Sequence, residues 1–214
     1  ELEGRSRRCM QLPQALRFFD LMRLQGPAPD VVTFNATISA IAAGAQWQKA
    51  LSLMNEMVHI SLVADVFTYT ATISACSKGQ KWSATVELLE RMKRERVRPD
   101  AVTYSSAMSS CSAEQRWADA VHLLRHMLQD RVSLDVISCG SAINVCGKSQ
   151  QWSTVLALMQ RMQFEKLDLD VITYNIAIGA SMHGRQWTVA LTLLREMWQG
   201  SLKPGAITYS TAIS

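Results

Sequence analysis

The sequence predicts an all-α fold, a solenoid of two-helix hairpin repeats each 35 residues long. Three observations carry that prediction. Five of the six tryptophans, Trp47, Trp82, Trp117, Trp152 and Trp187, stand 35 residues apart. Asp30, Asp65, Asp100, Asp135 and Asp170 keep the same interval, as do Met57, Met92, Met127, Met162 and Met197. The stretch after each Trp is apolar at helical spacing, as in Trp47, Ala50, Leu51, Leu53, Met54 and Met57, or Trp187, Ala190, Leu191, Leu193, Leu194 and Met197. A fixed period of this length marks an array in which each unit buries its apolar face only against its neighbours.

Starting each unit just after the aspartate gives repeats at 31–65, 66–100, 101–135, 136–170 and 171–205, with a truncated unit at 206–214. Residues 1–30 fit the later part of an earlier unit, with Leu12, Ala15, Leu16, Phe18, Phe19 and Met22 on the Trp, Ala, Leu, Leu, Leu and Met positions. Residues 1–214 thus form a single array. The first helix of each unit covers VVTFNATISAI or its equivalent, and the second starts near the Trp. Gly44, Gly79 and Gly184 close three of the first helices, where a left-handed C-cap is expected. Pro29, Pro99 and Pro204 stand just ahead of the next unit, where a helix does not continue. No segment reads as a strand. Trp and Met fall on the buried phase of the second helix and read as core.

The formal net charge of +4 and 48% hydrophobic content suit a globular core and permit a polyanionic partner without demanding one. No apolar run approaches the ~20 residues that span a bilayer, so no membrane insertion is expected. Cys76, Cys111 and Cys146 repeat one apolar helix position, and Cys139 stands too far from Cys146 for a C-x-x-C pair. These read as small buried residues kept reduced. His59, His122, His126 and His183 are scattered, so no metal or cofactor is called for and no catalytic group is assigned. The sequence lacks an initiator Met and stops at Ser214 inside a unit, which reads as a piece of a longer protein.

The segments VVTFNATISA, VFTYTATISACSKG, AVTYSSAMSSCS and VITYNIAIGAS, with the later AL-x-LL-x-x-M and RPD, resemble the pentatricopeptide repeat, in its pure P-type form, over residues 12 to 214. The tetratricopeptide repeat is 34 residues long and puts its Trp early in the first helix, whereas here the Trp opens the second. The resemblance implies a right-handed superhelical solenoid that holds single-stranded RNA along its concave face, one base per repeat. Its reading residues would be the fifth and last of each unit: Asn35 with Asp65, associated with uracil; Thr70 with Asp100, associated with guanine; Ser105 with Asp135, a close relative. Gly140 has no side chain to read with beside Asp170. Asn175 is followed by Gly205, leaving a pyrimidine lean, and Ser210 stands without a partner. The implied site is 5′-UGG-N-pyrimidine. Val32, Phe67, Val102, Ile137, Ile172 and Ile207 would sandwich the bases, and Lys78 and Lys148, with His183 at the same phase, would face phosphates. The resemblance also implies a mitochondrial or chloroplast protein that stabilises, processes or enables translation of transcripts without being an enzyme. The alternative is a protein-binding scaffold, a subunit of a ribosomal or RNA-processing complex. A nuclease or editing domain beyond Ser214 has no support within the chain.

The chemistry stands beside the resemblance. A carboxylate only accepts hydrogen bonds, so it meets the imino N–H of uracil or guanine and not the unprotonated ring nitrogen of adenine or cytosine. The aspartates also precede helices, where Asp is a preferred N-cap, and both roles fit the spacing. Lys78 and Lys148 equally suit a helix C-terminus, which favours cations. The run RMKRERVRPD, Arg91 to Asp100, reads as a solvated outer face.

Overall fold

The computed structural model describes residues 14–24, 26, 28–112, 114–200 and 202–213, and every regular element among them is a helix. Leu12 and Cys9 lie outside the described residues. The chain divides into two compact units, Glu1–Ser110 and Cys111–Ser214. The first contains α1 (14–24), α2 (Val31–Ala43), α3 (Trp47–His59), α4 (Val66–Lys78), α5 (Trp82–Arg94) and α6 (Ala101–Ser110). The second contains α7 (Trp117–Gln129), α8 (Val136–Lys148), α9 (Trp152–Phe164), α10 (Val171–His183), α11 (Trp187–Gln199) and α12 (Ala206–Ile213). Within each unit the sequence-derived hairpins are therefore present, with each even-numbered helix from α2 to α12 opening a repeat.

In the first unit α4 packs against α2, α3 and α6 as well as its own partner α5, and in the second α10 packs likewise against α8, α9, α12 and its partner α11. A helix enclosed by four others needs small or apolar residues on most of its circumference. Thr72, Ile73, Ala75 and Cys76 supply them in α4, and Ala177, Ile178, Ala180 and Ser181 in α10, all buried. The second helices bury one stripe only, such as Ala50, Leu53, Met54 and Met57 in α3. Met57, Met92, Met127, Met162 and Met197 are fully buried, which bears out the methionine column as core. Cys76, Cys111, Cys139 and Cys146 are buried thiols that form no disulfide among the described residues. Burial pushes Cys76, Cys139 and Cys146 up to about 11 and Cys111 up to about 12, so all four stay protonated and unreactive near neutrality.

Two expectations need correction. Gly44, Gly79 and Gly184 close their helices at φ −88°, −78° and −76°, so none is left-handed. The left-handed residue is the next one, Ala45, Gln80 or Arg185, at φ 56–57°. Glycine is needed instead for room: a Cβ on Gly79 would sit 2.3 Å from Trp47 Cδ1, and one on Gly184 2.3 Å from Trp152 Cδ1. Each of these tryptophans is thus covered by the end of the following repeat's first helix. The second correction concerns the tryptophan column. Trp187 is 63% exposed, and Leu191 is also exposed, so helical phase alone does not bury that position.

These contacts set opposite outcomes for two glycine substitutions. Gly79→Ala forces the Trp47 ring aside and should cost about 1–3 kcal/mol as overpacking. Gly140→Ala, in α8 with no atom within 4 Å of its new Cβ, should stabilise by about 0.5–1 kcal/mol through helix propensity. Urea unfolding midpoints check both, and a Gly79→Ala protein as stable as the parent would overturn the packing account.

Candidate nucleic-acid interface

The second residue of each first helix points away from the core. Val32, Phe67 and Val102 in the first unit, and Ile137, Ile172 and Ile207 in the second, are 55–72% exposed. Single exposed apolar residues are ordinary, but a large one at the same position of every repeat is not explained by folding. Beside them stand the aspartates. Asp30, Asp65, Asp135 and Asp170 are the N-caps of α2, α4, α8 and α10, each accepting the N–H three residues on. Asp100 does the same for α6, taking Thr103 N–H at 2.8 Å.

The caps use one carboxylate oxygen. Oδ1 receives Thr33 N–H at 2.9 Å on Asp30, Thr68 N–H at 2.8 Å on Asp65, Ser138 N–H at 2.7 Å on Asp135 and Thr173 N–H at 2.8 Å on Asp170. The hydroxyls of Thr33, Thr103 and Thr173 add a second bond to the same oxygen at 2.6–2.7 Å. On Asp100, Asp135 and Asp170 the side-chain bonds among the described residues all fall on Oδ1, leaving Oδ2 open. Capping and base recognition therefore do not compete for the same lone pairs. Asp65 has Oδ2 engaged, by Asn35.

The fifth residues differ in what they offer. Asn35 donates through Nδ2 to both Asp65 oxygens at 3.2 Å, and its Oδ1 lies 2.6 Å from the Thr68 hydroxyl. The predicted pair of the first full repeat is thus assembled in the free protein. Thr70 Oγ1 lies 2.6 Å from Thr103 Oγ1, which in turn donates to Asp100 at 2.7 Å. Thr70 and Asp100 are joined through that bridging hydroxyl. Ser105 turns back to donate to the Val102 carbonyl at 3.0 Å, and its sequence partner Asp135 belongs to the second unit. Gly140 and Gly205 are flanked by open space. Asn175, with Gly205 where an aspartate would stand, has a buried Oδ1 without a partner. The bridging third residue, Thr33, Thr68, Thr103, Ser138 or Thr173, escaped the sequence reading. Its signal was the hydroxyl residue three places after every aspartate.

Hydrogen bonding holds two of these carboxylates ionised. On Asp30 the Thr33 hydroxyl and N–H lower the pKa. On Asp65 burial acts to raise it, but Thr68 and Asn35 together outweigh that and hold it below the ordinary value. The lysines reach backwards along the chain: Lys78 Nζ donates to the Ala42 carbonyl at the end of α2, and Lys148 Nζ to Ser112 Oγ, each at 2.9 Å. Each ammonium keeps two further donors. Among the described residues no three His, Cys, Asp or Glu side chains gather to hold a metal, and no helix is long and apolar enough to cross a membrane.

Family comparisons agree along the chain. The PPR repeat family model matches residues 29–78 and 64–113, a PPR repeat model matches 102–132, and a pentatricopeptide repeat domain model matches 157–214. No curated protein matches the sequence. The fold is similar to that of the pentatricopeptide repeat protein PPR10 from maize, at 22% identity and TM-score 0.55 over 97% of this chain and 35% of that one. PPR10 in complex with an 18-nt psaJ RNA element gives 24% identity and TM-score 0.60, over 97% and 34%. The PPR domain of Arabidopsis thaliana protein-only RNase P 1, in complex with tRNA, gives 14% identity and TM-score 0.69 over 85% of this chain and 98% of that domain. The chain spans about a third of the PPR10 molecule.

The caps make the aspartates testable without any ligand. Asp100→Ala should cost about 1 kcal/mol, while Asp100→Asn, an equally good cap, should leave stability unchanged. Asp65 has a folded pKa below its ordinary value of 3.8. Its contribution to stability is therefore complete above about pH 4 and is lost as pH falls through the folded value. Asp65→Asn should flatten the acid limb of a plot of unfolding free energy against pH. An unchanged acid limb would show that Asp65 does not contribute to it.

Proposed function

The chain belongs to the pentatricopeptide repeat family, and on that footing we propose that it binds single-stranded RNA in a sequence-selective way, one base per repeat. The observation that carries this reading is an exposed aliphatic or aromatic second residue in repeat after repeat, beside a capping aspartate in five of them, with Asn35 joined to Asp65 and Thr70 joined through Thr103 to Asp100. Val32, Phe67, Val102, Ile137, Ile172 and Ile207 offer surfaces on which bases stack. Stacking is worth about 1–3 kcal/mol per base on aromatic platforms, and the aliphatic positions belong at the low end. The spare Oδ2 of Asp100, Asp135 and Asp170 accepts an imino N–H, which selects uracil or guanine, and Asp65 does so where its Oδ2 exchanges Asn35 for the base.

Along the chain the read sequence is U at Asn35 and Asp65, G at Thr70 and Asp100, and G at Ser105 and Asp135. The fourth position, Gly140 with Asp170, is stacked but unread on one side. At the fifth, Asn175 without a carboxylate leans to a pyrimidine. Lys78 and Lys148 keep donors for neighbouring phosphates. Acting by occupancy, such a protein stabilises, processes or permits translation of an organellar transcript in mitochondria or chloroplasts, with no catalytic group of its own. A protein-binding scaffold role in a larger complex is the second reading. It is favoured by Phe164 and Trp198, both exposed at the ends of α9 and α11.

Binding to an RNA carrying UGG-N-pyrimidine should exceed binding to a scrambled control, at one fixed salt. Equal affinity sinks sequence reading, and no binding at low salt favours the scaffold. Asp100→Asn should move the second position from G towards A, because the amide can donate to adenine's ring nitrogen. The preference should change by about 1–3 kcal/mol, by analogy with base-edge contacts in DNA. An unchanged preference for G would leave Asp100 as a cap alone.

A further inference from the structure

Ten residues closing the second repeat carry most of the chain's positive excess. The segment from Arg91 to Asp100 holds Arg91, Lys93, Arg94, Arg96 and Arg98 against Glu95 and Asp100, in a chain whose formal net charge is +4. The structure sorts these charges. Arg91 Nε donates to Glu95 Oε1 at 2.9 Å and the Tyr69 hydroxyl to Glu95 Oε2 at 2.7 Å, so the nearest acid is already occupied. Asp100 is turned to the start of α6. Lys93, Arg94, Arg96 and Arg98 are exposed and make no hydrogen bond or ion pair among the described residues. Other cations of the same unit are engaged: Arg23 with Glu56, Lys78 with the Ala42 carbonyl, Lys81 over the Trp47 ring.

The fold does not require this concentration. The matching segment 56–65 has no Lys or Arg, 126–135 has Arg131 alone, and 161–170 sets Arg161 and Lys166 against three carboxylates. The helix dipole favours cations by about 0.3–1 kcal/mol only within the last turn. Arg96 and Arg98 lie beyond α5, which ends at Arg94. Three of the four are arginines, whose forked guanidinium suits phosphate oxygens. No exposed apolar side chain lies among them, since Val97 is half-buried and Pro99 buried. The apolar centre of a protein interface is therefore missing.

We propose that Lys93, Arg94, Arg96 and Arg98 form a second, sequence-independent site for the phosphate backbone of RNA outside the read segment. This rests on the RNA-binding reading above. The site adds affinity for a long transcript without altering which bases are read.

The test uses two RNAs, the bare UGG-N-pyrimidine site and the same site with unstructured flanks, each also in scrambled form. The protein is compared with a variant carrying Lys93→Gln, Arg94→Gln, Arg96→Gln and Arg98→Gln. Glutamine already occupies left-handed positions equivalent in kind to that of Arg96, at Gln80, Gln115 and Gln150, so an unchanged helical circular dichroism and melting curve is expected. The parent should bind the flanked RNA roughly tenfold tighter than the bare site, and the variant should lose that advantage. Its salt slope on flanked RNA should fall by about 0.7 for each contact removed. A flank advantage that survives in the variant, an equal loss on bare and flanked RNA, or no flank advantage in the parent would each overturn the proposal. Scrambling the site tests base reading separately, so failure of one is not mistaken for failure of the other.

Discussion

The aspartate that precedes the first helix in five of the repeats is the contact on which the arrangement depends. By holding the N–H three residues on, it fixes where the helix begins. The second residue is then turned outward and the third tucked under the carboxylate, and in the first unit Asn35 and Thr70 are brought towards Asp65 and Asp100. In the first unit this is visible as one connected set, Asn35, Asp65 and Thr68. Without the cap the helix would fray at the turn that carries the exposed second residue, and the polar pair beside it would lose its defined place.

Much of this was legible in the sequence because it depends on periodicity. A strict interval of 35 gives the hairpins, the buried methionines and the caps, since each follows from a residue type recurring at one phase. What sequence could not supply is which neighbour each residue meets. Gly79 looks like a helix stop from its position, yet its role is set by the Trp47 ring, 32 residues earlier. Trp187 shares its phase with Trp47 and Trp152, yet those rings lie against Gly79 and Gly184 while Trp187 is exposed. The separate fates of Oδ1 and Oδ2 are equally invisible in a one-letter code.

The tryptophan contact also explains how apolar area is shared among units. A ring at the start of one second helix is sheltered by the glycine ending the next first helix. Neighbouring repeats therefore stabilise each other through large, shape-specific contacts as well as through the backbone connection. This is the nearest-neighbour energetics expected of a repeat array. It accounts for the coexistence of a demanding glycine at 79 and an undemanding one at 140 within the same repeat class.

The division of labour within each aspartate has an evolutionary consequence. Asp, Asn, Ser and Gly are all serviceable helix caps, yet they present different hydrogen-bonding patterns at the remaining edge: acceptor only, donor with acceptor, hydroxyl, or nothing. On the proposed reading, folding does not filter among the residues that would alter recognition, so one position could be retargeted without a poorly folded intermediate, outside the usual conflict between stability and new activity. Gly205 stands where the other repeats place aspartate, so the two requirements are already uncoupled at that turn.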